Sequence, residues 1–117
     1  MAQHNQTGRE GEILAAIYFE QNGYTLLHKN WRHKNWEVDI IASKNNRLHI
    51  IEVKTRTSTL FGHPEENMTN AKMQYLINAA EEYMYQNPQW QQLQFDILAI
   101  TIINDEVEYF LIEDVYL

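Results

Sequence analysis

Cysteine is absent from the 117 residues. That excludes disulfide staples, thiolate metal sites and cysteine nucleophiles, and it is compatible with a reducing compartment. Staples are not needed at this length, because a chain of this size buries roughly two thirds of the surface its unfolded form exposes. A single domain over residues 1–117 is expected. Long apolar runs are missing as well. The longest, Ile13 to Phe19, falls far short of the roughly 20 residues a membrane helix requires, and Met1 to Glu10 is polar, without the apolar centre of a signal peptide. The expectation is a cytoplasmic protein with no membrane segment. No internal repeat, linker or low-complexity stretch interrupts the chain.

Positive charge is scarce and unevenly placed. The net charge is −7, and from Glu81 onward there are eight acids and no Lys or Arg. Taken alone this argues against a nucleic-acid ligand, since phosphate contacts are made chiefly by Lys and Arg. The distribution changes the argument: seven of the nine basic residues lie between His28 and Arg56, where the local charge is +4. A polyanion would have to approach the face built by that segment. Ordinary protection of sheet edges by Lys and Arg is the competing explanation.

Within that segment, Trp36 to Arg56 reads W-E-V-D-I-I-A-S-K-N-N-R-L-H-I-I-E-V-K-T-R. Two strand-like runs, Glu37 to Ser43 and Arg47 to Thr55, flank the turn-forming Asn45-Asn46, which predicts a β-hairpin. Strand alternation puts Glu37 with Asp39 and Glu52 with Lys54. Three carboxylates and an amine can therefore meet on one patch, a costly arrangement unless a cation occupies it. Asp39, Glu52 and Lys54 also interrupt otherwise apolar runs, where charges are harder to explain as surface decoration. The D-x(12)-E-x-K spacing suits Mg²⁺ (or Mn²⁺) held by oxygen ligands, with Lys54 serving the attacking water or the phosphate oxygens. The chemistry implied is hydrolysis of a phosphodiester. A solvent-facing strand with alternating charges is the plainer alternative.

Around the hairpin, a helix is expected over about Gly8 to Asn22, with Thr7 as N-cap, Glu10 completing a capping box and Gly23 ending it. Glu12 sits in its first turns, where a carboxylate complements the helix dipole. Tyr24 to Lys29 reads as a strand, followed by a mixed polar and aromatic segment, Trp31 to Trp36. Tryptophans interleaved with Arg32 and Lys34 suit a sugar-phosphate backbone and stacked bases, although tryptophan is more often core. Thr55 to Met68 reads as irregular, with Thr57-Ser58-Thr59 supplying hydroxyls. A second helix is marked by Met73, Leu76, Ile77, Ala80, Tyr83 and Met84 at helical spacing, with Thr69 as N-cap and Pro88 past its end. Lys72 in its first turn is mildly unfavourable to the dipole, which hints at a use elsewhere. Gln94 to Ile103 and Val107 to Ile112 read as strands around the turn Asn104-Asp105. The order α-β-β-β-α-β-β predicts an α/β or α+β sandwich with a mixed sheet.

The succession G-R-E-G-E at 8 to 12, N-G-Y at 22 to 24, N-W-R at 30 to 32, W-E-V-D-I-I-A at 36 to 42, I-E-V-K-T-R at 51 to 56, Lys72, and Q-F-D at 94 to 96 resembles the YraN-like family of small bacterial proteins. That family is similar to archaeal Holliday junction resolvases and looks like a branch of the restriction-endonuclease-like superfamily. The resemblance implies a restriction-endonuclease-like core with a mixed five-stranded sheet flanked by helices. It implies that Glu12, Asp39 and Glu52 are metal-site acids, with Lys54 the catalytic lysine and Glu37 an adjacent acid. Arg32, Lys34, Arg56 and Lys72 are the candidate nucleic-acid contacts. The activity implied is Mg²⁺-dependent cleavage of DNA, structured or branched DNA such as four-way junctions included, and two cuts across a two-fold symmetric junction imply a homodimer. The alternative is a non-catalytic module that binds nucleic acid or protein and keeps the nuclease fold. Two positions depart from the family's pattern: Trp36 stands where a glycine is usual, and Gln94 where an arginine commonly precedes Phe-Asp.

Overall fold

The computed structural model describes residues 6–57 and 68–115. Its elements are α1 (Gln6–Gln21), β1 (Thr25–His33), β2 (Trp36–Lys44), β3 (Arg47–Arg56), α2 (Asn70–Gln86), β4 (Leu93–Ile103) and β5 (Glu106–Ile112). This is the α-β-β-β-α-β-β order expected from the sequence. The strands form one sheet in chain order, with β3 and β4 parallel and the other neighbours antiparallel. Parallel pairing of consecutive strands needs a crossover, and α2 supplies it. The lead-in before Gln6 and the stretch 58–67, where the sequence suggested irregular structure and hydroxyls at Ser58 and Thr59, lie outside the described residues.

Alternation along β3 sorts the core into two layers. Leu48 and Ile50 face one way, with Val38, Ile41 and Phe95, and are covered by Met73, Leu76, Ala79, Ala80 and Tyr83 of α2. Ile51 faces the other way, with Ile40, Ala42, Leu98 and Ile100, and is covered by Ala15 and Phe19 of α1 and by Tyr24. Each fully buried Ile, Leu or Phe contributes roughly 1.5–3 kcal/mol. The tight turns are made by residues that tolerate the left-handed region: Asn45 and Asn46 (φ 54° and 62°) join β2 to β3, and Asn104 and Asp105 (φ 52° and 65°) join β4 to β5;.

α1 closes as expected. Gly23 adopts φ 87°, and the amides of Gly23 and Tyr24 donate to the carbonyls of Glu20 and Phe19, which satisfies the last turn. Its start differs from expectation. The helix already includes Gln6 and Thr7, so Thr7 lies inside the first turn instead of capping it; the Gln6 side chain reaches Glu10 one turn on, at 3.4 Å. α2 begins as read, with Thr69 Oγ1 accepting from the Lys72 amide at 3.0 Å. β1 is longer than the sequence suggested, continuing through Trp31 and Arg32 to His33. Two irregularities had hidden it: a register shift between Leu26 and His28, and Asn30 at φ 53°. Among the described residues no helix is long and apolar enough to cross a membrane.

Candidate functional site

The site is built where β2 and β3 part. Their pairing runs from the turn up to Ile40 opposite Ile51 and goes no further. At the next step along β2, Asp39 replaces the backbone ladder with its side chain: Oδ2 accepts from the Val53 amide at 2.8 Å. On its other side β2 pairs with β1 through Lys29↔Ile40 and Trp31↔Val38, with the Asn30–Asp39 step between them unpaired. Alternation breaks on both strands at this step. Val38 and Ile41, three residues apart, belong to the same core layer, and His28 and Trp31, also three apart, both set their rings against Tyr83. The break turns Asp39 sideways toward β3. Opposite it, the Asn30 amide group reaches Glu12 Oε2 of α1 at 3.4 Å.

α1 can deliver Glu12 because Gly11 lies against Thr55 of β3. A Cβ at Gly11 would overlap the Thr55 side chain, so only glycine permits this approach of helix to strand. From the opposite face of the sheet comes the first turn of α2. Lys72 Nζ lies 3.0 Å from Glu52 Oε1, and Lys54 Nζ lies 3.1 Å from Glu52 Oε2. Glu52 is only 8% exposed, so two ammonium groups offset a charge that burial would otherwise make costly.

Asp39 shows the electrostatics of the cluster. Its carboxyl is pushed up from 3.8 to about 6, chiefly because burial disfavours the charged form. The Val53 amide opposes that, Glu52 raises it further, Lys72 lowers it, and Glu12 adds a final upward push. Glu12, Asp39, Glu52, Lys54 and Lys72 therefore share one electrostatic neighbourhood. Oxygen donors of this kind suit Mg²⁺ or Mn²⁺, and a partly desolvated carboxyl that feels the charges of two further acids is what a divalent cation would relieve. Among the described residues, however, no three His, Asp or Glu side chains stand close enough to form a metal cluster, and Glu52 is held by lysines.

The remaining sequence candidates lie along the hairpin and the strand end. Arg32 Nη2 meets Glu37 Oε2 at 2.9 Å across the β1–β2 pair. Lys34 forms the turn at φ 55° and lines a cavity of about 320 Å³ with Arg32, Asn35, Trp36 and Glu37. Arg56, partly buried, closes β3. The link from this group to the carboxylates is a residue that the sequence did not single out. Tyr75 of α2 accepts the Glu37 amide at 2.6 Å and donates to the Asn35 carbonyl at 3.0 Å, while Lys72 Nζ sits 4.7 Å from the centre of its ring. Its signal was an aromatic off the apolar stripe of α2, one turn after an unexpected lysine.

A second polar pair carries no local motif in the sequence. His49 Nδ1 lies 2.6 Å from Asp96 Oδ2, and Asp96 Oδ1 accepts from the Gln94 side chain at 2.8 Å and the Asp114 amide at 3.0 Å. It sits on β3 and β4 near the hairpin turn, away from the parting of the strands. Gln94 is thus a partner of the buried aspartate.

The model of an uncharacterised protein family, UPF0102, matches residues 11–100. A UPF0102 protein of Bacteroides thetaiotaomicron is 43% identical over 100 residues, covering 86% of this chain and 83% of the relative. One from Flavobacterium johnsoniae is 44% identical over 104 residues, with 86% and 85% covered. A third, from Chlorobium limicola, is 41% identical over 110 residues, with 91% and 85% covered.

Proposed function

The chain belongs to the UPF0102 family, the YraN family that its motifs resemble, and from the geometry of its site we propose that it is a metal-dependent endonuclease acting on DNA. The observation that carries this reading is the neighbourhood of Asp39: a carboxyl desolvated at the parting of two strands, its charge acted on by Glu52 and Glu12, with Lys54 on Glu52. Asp39 and Glu52, with Glu12, would hold Mg²⁺ or Mn²⁺. When bound, the ion would supply an acidic water and neutralise charge on the phosphate. Lys54, with 40% of its side chain exposed, would hold a phosphate oxygen or orient the attacking water through its ammonium group. Lys72 would guard the Glu52 charge until the cation replaces it. Arg32, Lys34 and Arg56 would bind the strand backbone. Four-way junctions are within the substrate class of this reading, and their paired cuts would require a homodimer.

Cleavage of duplex, single-stranded and four-way-junction DNA in Mg²⁺ or Mn²⁺ tests it, with Asp39→Ala and Lys54→Ala as controls. Metal-dependent cutting lost in both variants is expected. Equal trace cutting by wild type and variants refutes it. One observation favours a second reading, a DNA-binding module without catalysis: both oxygens of Glu52 are engaged by lysines. Binding without cleavage selects that reading, and light scattering reads the oligomeric state.

A further inference from the structure

Three rings form a ladder along the β1–β2 hairpin. Trp31 and His33 are 6.1 Å apart with planes at 12°, and His33 and Trp36 are 6.1 Å apart at 17°. The Trp31 end is closed by the edge of Tyr83, 5.6 Å away at 84°. At the Trp36 end there are two hollows. One, about 320 Å³, is shared with Arg32, Lys34, Asn35 and Glu37; the other, about 410 Å³, with Asn78, Glu81, Glu82 and Tyr85. Their chemistry differs in the way that matters for a polyanion. Glu81 and Glu82 repel phosphate from the second, while Arg32 and Lys34 attract it to the first, with Arg32 half-exposed despite its pairing to Glu37;.

We propose that the tip of the β1–β2 hairpin is a base-stacking subsite, in which an unpaired nucleobase of a DNA strand continues the ladder on Trp36 while Arg32 and Lys34 hold its phosphates. Aromatic faces accept any base, and basic side chains beside them track the backbone. A base within a continuous duplex has both faces covered by its neighbours, so the subsite selects single-stranded, flapped or junction DNA. The tip is fixed in place for this. Tyr75 holds both Asn35 and Glu37, and Lys72 packs on Tyr75 while bonding Glu52. One chain of contacts thus joins the stacking residue to the carboxylates. The inference rests on the nucleic-acid part of the proposed function and not on its catalytic part.

The test is equilibrium binding in EDTA, where no metal-dependent cutting occurs, followed by fluorescence anisotropy of labelled oligodeoxynucleotides. The probes are a single strand, the same strand with consecutive abasic sites, and the blunt duplex. Wild type should bind the single strand more tightly than the abasic strand or the duplex. Trp36→Leu, which keeps apolar packing, should weaken single-strand binding by about tenfold, while Trp36→Phe changes it by less than about threefold and duplex binding stays as it was. Equal binding of the single strand by wild type and Trp36→Leu overturns the proposal, as does a parallel loss of single-strand and duplex binding, which would mark Trp36 as a packing residue only. If Trp36→Leu does not fold, the tryptophan emission of wild type and Trp36→Phe decides. Quenching by the single strand that is strong in wild type and reduced in Trp36→Phe supports stacking, and no difference overturns it. Failure of the nuclease reading is separable: wild type that stacks single strands in EDTA yet cuts nothing in Mg²⁺ keeps the subsite and loses the enzyme.

Discussion

Asp39 Oδ2 accepts the Val53 amide at 2.8 Å, across the gap where β2 and β3 stop pairing. A side chain here does the work of a backbone carbonyl. It holds the two strands together at their point of separation and leaves the carboxyl in poor contact with water.

That burial has a cost that depends on pH. The Asp39 carboxyl is raised from 3.8 to about 6 in the fold, so the folded state binds more protons than the unfolded one between those values. Its contribution to stability is fully present below about pH 4 and is lost as the pH rises through about 6, by up to about 1.4 kcal/mol per pH unit. Asp39→Asn should remove this dependence and leave the metal-free protein about 1–3 kcal/mol more stable at pH 7.5 relative to pH 4.5 than wild type. Urea melts at the two pH values in EDTA measure it, and unchanged slopes would refute it.

Lys72 should matter to folding before it matters to any substrate. Lys72→Met leaves Glu52 with Lys54 as its remaining ammonium partner among the described residues. Because Lys72 is itself partly exposed, the expected loss is about 1–2 kcal/mol, below that of a fully buried pair. Mn²⁺ should restore more stability to this variant than to wild type, read as the rise in thermal midpoint on adding the ion.

Gly11→Ala should act through contact with Thr55. The added methyl meets the Thr55 side chain, and relieving such an overlap costs about 1–3 kcal/mol. Gly11→Ala combined with Thr55→Gly, which removes every side-chain atom the methyl would meet, should recover part of the loss, and a double-mutant cycle by denaturant unfolding provides the number.

His49→Ala should destabilise the fold by about 3 kcal/mol, since it leaves the buried Asp96 carboxylate without its closest partner;. His49→Ala with Asp96→Asn should be less damaging than the sum of the singles. If DNA binding survives in folded His49→Ala, the pair serves the sheet alone.

Much of this was written in local patterns. The Asn-Asn and Asn-Asp turns, the Gly23 stop and the Thr69 cap are short-range chemistry, and each lies where its residues require. The pairing of Glu52 with Lys54 followed from alternation along an unbroken strand. What alternation could not reveal was its own interruption. Counting by twos from Glu37 to Asp39 places them together, whereas Glu37 is engaged by Arg32 and Asp39 turns to Val53. Tyr75, Asn30 and the His49–Asp96 pair act between elements far apart in sequence, and no local window contains both partners.

The interruption at Asn30 and Asp39 also constrains what the chain can become. Both strands skip one beat at the same pair, so the cross-strand register is the same on either side of it, Lys29 opposite Ile40 and Trp31 opposite Val38. Deleting one residue on either strand alone would restore that strand's count but shift its pairing with the neighbouring strand by one residue beyond that point;. Length changes in this hairpin must therefore come in matched pairs, and the acids at the strand parting inherit that restriction.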